Sequence, residues 1–358
     1  MKKLALALAA TAALVLSIGS AAEAADKTKV CFVYVGTRTD GGWTQAHENG
    51  RIQVEKEFAD KVETSFLESV PEGPDAERAI ERMARSGCAL IFTTSFGYMD
   101  ATVAVAKKFP KVKFEHATGF KAADNVATYN SRFYEGRYIS GIIAGKLSKT
   151  GTAGYIASFP IPEVVMGINA FETGAKSVNP NFKMKVIWVN TWFDPGKEAD
   201  AAKALLDQGV DILTQHTDTT APMQVAEQRG VKAFGQASDM IKAGPNVQLT
   251  AIIDTWGNYY VKRVQALLDG TWKSEQSWDG LKDGILTMAP YTNMPDDVKK
   301  LAEEAEAKIK SGELHPFTGP INKQDGTPWL KAGEKADDGT LLGMNFYVEG
   351  VDDKLPAQ

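Results

Sequence analysis

The sequence predicts an α/β protein built of two doubly wound parallel-sheet lobes with a hinge and an inter-lobe cleft. Three observations lead there. Short β-rich runs alternate with longer helical runs, the pattern of parallel sheets covered on both faces. The alternation restarts after a Gly-containing helix near the middle of the chain, and the C-terminal tail is too poor in elements to form a third domain. With 358 residues, 44% hydrophobic and 24% charged, the chain can bury two such cores and is neither disordered nor collagen-like.

In the first lobe, strands are expected at Val30 to Val35, Val62 to Leu67, Leu90 to Thr94, Lys113 to Ala117 and Val126 to Tyr129. Helices fall between them at Ala46 to Phe58, Asp75 to Ser86 and Asp100 to Phe109. After the helix from about Phe133 to Leu147, strands follow at Gly154 to Ala157, Met184 to Val189, Ile212 to Gln215, Lys232 to Gly235 and Leu249 to Ile253. Their helices are Pro162 to Val178, Gly196 to Gln208 and Ala221 to Arg229. Trp256 to Leu268 and Asp296 to Ser311 are later helices, and Met344 to Val348 reads as a short late strand. The lobes are thus expected at 25–133 plus about 254–290, and at 134–253 plus about 291–358.

The chain opens Met1-Lys2-Lys3, continues uncharged from Leu4 to about Ser20 and reaches Ala22-Glu23-Ala24. Residues 1–24 therefore read as a secretory signal, with a mature start near Ala25 and export to the periplasm. No Cys follows the apolar stretch, so no lipid anchor is expected there. A net charge of −5 without a basic block argues against nucleic acid as a partner. Cys31 and Cys88 each precede an apolar run. On adjacent parallel strands they would meet at one sheet edge, either as a disulfide or as two buried thiols.

In open α/β sheets ligands sit beyond the carboxyl ends of the strands, so those loops carry the candidates. After the first strand, Trp43 follows a polar, Gly-containing run, as a stacking platform or as a helix-packing indole. Trp192 occupies the matching loop of the second lobe, two residues ahead of the Asp194-Pro195 helix start. One indole from each lobe suits a planar heteroaromatic ligand. Asp239 ends a strand as a hydrogen-bond acceptor or a short cap, Asp218 lies in the polar run His216 to Thr220, and Asn130 and Phe96 end two first-lobe strands.

Several apparent motifs carry no chemistry. Gly141 to Leu147 resembles a phosphate loop, but it has three residues between its glycines and lies inside a helix, where small residues four apart admit a neighbouring backbone. His47, His116, His216 and His315 lack ligand spacing for zinc, and no nucleophile elbow is present. Neither a catalytic residue nor a cofactor is expected.

The chain resembles the basic membrane protein family of ABC-transporter substrate-binding proteins, the purine and purine-nucleoside type with the type I periplasmic binding fold. The likeness runs through Asp40 to Gln45, Glu135 to Gly145, Thr191 to Pro195, Gly235 to Asp239 and Met344 to Val351. It implies a purine stacked between Trp43 and Trp192, a base-holding carboxylate at Asp239, and a membrane permease as partner to a monomeric receptor. The lysine that holds ribose in nucleoside binders has no counterpart in Ile252-Ile253-Asp254, and Gly36-Thr37-Arg38-Thr39 replaces an Asp-rich loop start. Both departures favour a free base, adenine before guanine. Competing readings are a nucleoside, other aromatic or sugar receptor, an exported nucleoside hydrolase using Asp239, Asp218 and Asp254, and a ligand sensor that does not transport.

Overall fold

The computed structural model describes residues 27–356. The expected signal segment lies outside them. The first lobe begins with β1 (Thr28–Val33), α1 (Trp43–Glu57), β2 (Val62–Leu67), α2 (Pro74–Arg85) and β3 (Leu90–Thr93). It continues with α3 (Met99–Lys108), β4 (Lys113–Ala117) and β5 (Val126–Ser131). The second lobe runs α4 (Tyr134–Leu147), β6 (Thr152–Ala157), α5 (Pro162–Lys176), β7 (Lys183–Trp188), α6 (Pro195–Asp207), β8 (Ile212–His216), α7 (Ala221–Arg229), β9 (Lys232–Ala237) and β10 (Gln248–Asp254). The chain then returns to the first lobe with α8 (Trp256–Leu268) and β11 (Gln276–Asp279), and crosses back with β12 (Leu286–Met288) and α9 (Asp296–Ser311). A small ribbon of β13 (Ile321–Asn322) and β14 (Pro328–Leu330) and the short α10 (Asp338–Leu342) follow.

The two sheets repeat one topology. The first has the order β11-β5-β4-β3-β1-β2 and the second β12-β10-β9-β8-β6-β7. All pairings are parallel except that of β12 with β10. β12 is therefore a second-lobe strand, and the return crossing falls ahead of Leu286, earlier than the expected boundary near residue 290. In each lobe the winding direction reverses on either side of one central strand, β1 or β6, and a crevice opens at the carboxyl edge there.

The chain crosses between lobes after β5, after β10 and between β11 and β12. The Ser131 hydroxyl donates to Asp254 Oδ1 at 2.9 Å, tying the first two crossings together. α4 lies against α5 at very short range. A Cβ on Gly141 would fall 2.0 Å from the Phe171 carbonyl oxygen, and one on Gly174 2.1 Å from that of Tyr138. The glycines of this helix thus serve backbone approach, not phosphate.

Met344 to Val348 is not a strand; Val348 makes only an isolated bridge to Lys323. Its backbone is satisfied by a side chain instead. Buried Asn169 donates to the Phe346 carbonyl at 2.7 Å and accepts from the Val348 N–H at 3.0 Å, so the segment lies on α5 without a sheet partner.

Cys31 in β1 and Cys88 just ahead of β3 are bonded, with Cα atoms 5.9 Å apart. The pairing of Val30 with Leu90 brings them together at the amino-terminal edge, away from the cleft. The bond closes a loop spanning 57 positions. Replacing both cysteines by serine is expected to cost about 2–4 kcal/mol of unfolding free energy in urea denaturation, with ligand affinity unchanged.

Candidate ligand-binding site

Where the two carboxyl edges face each other, a slit opens between the lobes. Val35, Trp43, Ser95, Phe96 and Thr118 line it from the first lobe, and Glu163, Trp192, His216, Asp218 and Gln236 from the second. Its empty volume, counted to where it opens to solvent, is about 330 Å³.

Trp43 opens α1, and the turn before it is built by Asp40. The buried Asp40 carboxylate accepts from the backbone N–H groups of Gly42 at 2.9 Å, Thr44 at 2.8 Å and Gln45 at 2.9 Å, which satisfies donors the helix start leaves free. The Trp43 indole N–H donates to the Thr94 carbonyl at 2.7 Å, and its ring meets His47 edge-on at 4.4 Å. The indole is held at its nitrogen and flank and stays half-buried at the slit.

Trp192 comes from the second lobe but donates its indole N–H to Glu72 Oε1 of the first at 3.2 Å. Glu72 also accepts from the Ser95 hydroxyl at 2.5 Å and the Gly97 N–H at 3.0 Å. This shared carboxylate latches the lobes beside the ligand space. A second link is the Ser238 hydroxyl, which donates to the Gly42 carbonyl at 2.7 Å. A Cβ on Gly42 would lie 2.6 Å from the Asp218 carbonyl oxygen, so the lobes stand closed around a backbone that has no room for a side chain.

The polar groups of the slit differ from those the sequence suggested. Asp239 is exposed and outside it. The reason is local: Ala237 has φ +57° and the Ser238 N–H donates to the Gln236 carbonyl at 2.6 Å, a tight three-residue turn that aims the chain outward. Asp239 then accepts from the Ile241 N–H at 3.0 Å and Gln248 Nε2 at 2.7 Å, a structural role. Asp218 does line the slit, only 3% exposed, and its carboxyl group accepts no hydrogen bond among the described residues. Burial pushes its pKa well above the usual carboxylate range, and repulsion from Asp40, Glu198, Glu163 and Asp254 adds to the shift.

Glu163, in the first turn of α5, faces His216 with Oε1 3.7 Å from Nε2. Burial lowers the His216 pKa, partly offset by Glu163, so the imidazole is neutral at pH 7. Gln236 is the next-to-last residue of β9, three residues before Asp239, and with Glu163 and Glu72 it is what the sequence reading missed. Its only signal was the rule that the last residues of a strand face the crevice.

A second chamber adjoins the slit and shares Phe96, Thr118 and Glu163 with it. Asn130 belongs to this chamber and not to the slit, its Oδ1 taken by the Ser131 N–H at 2.7 Å. The remaining wall is largely apolar, with Phe120, Pro162, Met166 and Leu342. Phe120 and Leu342, from opposite lobes, are 58% and 47% exposed at its mouth.

Two sheets with one winding, three crossings and a closed slit between their carboxyl edges define a two-lobed solute receptor. Solved structures agree on the fold. An ABC transporter solute-binding protein from Aeropyrum pernix K1 matches with TM-score 0.72 and 20% identity over 88% of this chain and 95% of that one. One from Conexibacter woesei matches with TM-score 0.63 and 22% identity over 80% and 98%. The chain belongs to the PnrA-like family of ABC transporter substrate-binding proteins, whose sequence model matches residues 27–317. It is 70% identical to a purine-binding protein of Brucella abortus over 95% of this chain and 97% of the relative. It is also 35% identical to a putative ABC transporter glucose-binding protein of Haloferax volcanii, over 93% and 82%. As a member of this family it acts with a small-molecule ligand and a membrane permease.

Gly42→Val is expected to hold the lobes apart, because the added atoms occupy the space of the Asp218 carbonyl. Small-angle scattering with saturating ligand should show a larger radius of gyration than wild type, and affinity should drop by about tenfold or more.

Proposed function

We propose that this protein is the periplasmic receptor of an ABC uptake system and that it closes on a free purine base, adenine foremost. The observation that carries the reading is the inter-lobe slit walled by two anchored indoles, one from each lobe. Two indole faces suit a planar heteroaromatic ring better than a puckered pyranose. The name of the Brucella relative supports the same ligand class.

The recognition chemistry follows from the open polar groups. The Asp218 carboxylate accepts from a ring N–H or exocyclic amino group, and the Gln236 amide supplies a donor. The neighbouring chamber, largely apolar, has little to offer ribose hydroxyls beyond Asn130, Glu163 and the Thr118 hydroxyl, whose proton already goes to the Ala117 carbonyl, which supports base over nucleoside. A base of about ten non-hydrogen atoms bound at submicromolar affinity needs roughly −0.9 kcal/mol per atom, inside the ceiling for small ligands. Two desolvated stacking faces and a charge-assisted hydrogen bond account for much of this.

Mass spectrometry of small molecules released from denatured protein, with calorimetric titration of adenine, guanine, adenosine and guanosine, tests the assignment. The free base is expected to bind at least about tenfold more tightly than its nucleoside. Trp43→Ala and Trp192→Ala should each weaken binding by about tenfold or more, equivalent to 1.4 kcal/mol. If both bind like wild type, the stacking assignment is wrong.

A pH series tests Asp218. Its raised pKa means that the proton returns above the ordinary carboxylate range near 4, and the protonated form loses its charge and turns one oxygen into an O–H donor, which leaves a weaker acceptor for an N–H. Affinity is therefore expected to fall as pH is lowered from about 8 toward that range, and Asp218→Asn should flatten the profile.

A further inference from the structure

We infer that Arg137 is a positioning residue for the cleft: by holding the Gln236 amide oxygen it turns the amide nitrogen toward the bound ring, so the receptor selects a ring edge that accepts there. This rests on the purine reading and specifies one point of its recognition.

Arg137 projects from α4 and is fully buried, 0% exposed. Its guanidinium donates to the Thr214 hydroxyl at 2.9 Å, the Gln215 carbonyl at 2.5 Å and Gln236 Oε1. The β8–β9 ladder is in register only at Ile212 with Lys232 and Leu213 with Ala233. Beyond that point, where both strands run on toward the slit, the guanidinium bridges them. It forms this bridge with the same strand ends that carry Gln236 and lead into Asp218.

No described carboxylate makes an ion pair with Arg137, and Nε has no hydrogen-bond partner among the described residues. The Phe133 and Tyr155 rings lie 4.9 and 5.2 Å from its guanidinium carbon. Burying a cation this way is costly, and a methionine would fill similar space at smaller desolvation cost. Packing alone therefore does not account for the charge. Its chemical distinction is that a guanidinium has donors only. Of the two ends of the Gln236 amide it can take only the oxygen. The nitrogen is thereby turned away from Arg137; it finds no hydrogen-bond partner among the described residues, on a side chain 1% exposed that lines the slit. The slit then offers a fixed donor at Gln236 and an acceptor at Asp218.

The experiment is a titration of adenine and its 1-, 3- and 7-deaza analogues against wild type, Q236E and R137M. Each analogue replaces one ring nitrogen acceptor by C–H. In wild type one of the three is expected to bind about tenfold more weakly than adenine, the loss of one donor–acceptor pair in a desolvated site. In Q236E the new carboxylate pairs with Arg137 and no N–H faces the ring, so that penalty should collapse to about twofold or less. R137M frees the amide to turn and should show the same collapse; it carries the comparison if Q236E binds too weakly to titrate. A purely structural role for Arg137 would weaken all four ligands equally and leave their ratios intact. Intact ratios in folded variants, or no penalty for any analogue in wild type, would overturn the inference while leaving purine binding in place. Failure of adenine and every other purine to bind wild type would remove the purine reading itself.

Discussion

The cleft depends on one constraint of parallel sheets: every connection must leave from the carboxyl edge and return over a face, so all loops following strands gather on one side. The chain builds this arrangement twice with the same strand order, and sets the two loop edges opposite each other by crossing between lobes three times. Trp43, Phe96, Trp192, Asp218 and Gln236 are far apart in sequence and converge because each follows or ends a strand. Close approach of α4 and α5 at Gly141 and Gly174 keeps the second lobe compact behind its half of the site.

Desolvation gives that geometry its chemistry. Asp218 and Asp254 are buried carboxyls held well above the ordinary range, and one Asp254 oxygen has no hydrogen-bond partner among the described residues. Arg137 is a buried cation with no ion pair. In a packed core these groups would be liabilities. Of the three only Asp218 lines the slit, with Arg137 behind it on Gln236, and the Glu72 latch and the Ser238–Gly42 link join the lobes beside it.

Much of the fold was legible because strand and helix periodicities differ and each element is long enough to show its own. The two indoles were legible because a tryptophan after a strand, in a polar loop, has few other places to go. Asp239 misled for a local reason. A strand-ending carboxylate looks like a ligand group, but the tight turn at Ala237 carries no glycine to announce it, and it points the next residues out of the cleft. Met344 to Val348 misled similarly, since its β-rich composition is satisfied by Asn169 instead of a neighbouring strand.

By itself the sequence determined the lobed α/β class, the order of nearly every element and the aromatic character of the cleft, because these follow from local pattern and from the topology that pattern allows. The tertiary structure alone decided which carboxylate faces the slit, which end of the Gln236 amide Arg137 holds, and that Glu72 of one lobe receives the Trp192 of the other. Those outcomes turn on single backbone angles and on contacts between residues more than 90 positions apart, quantities that no local pattern encodes.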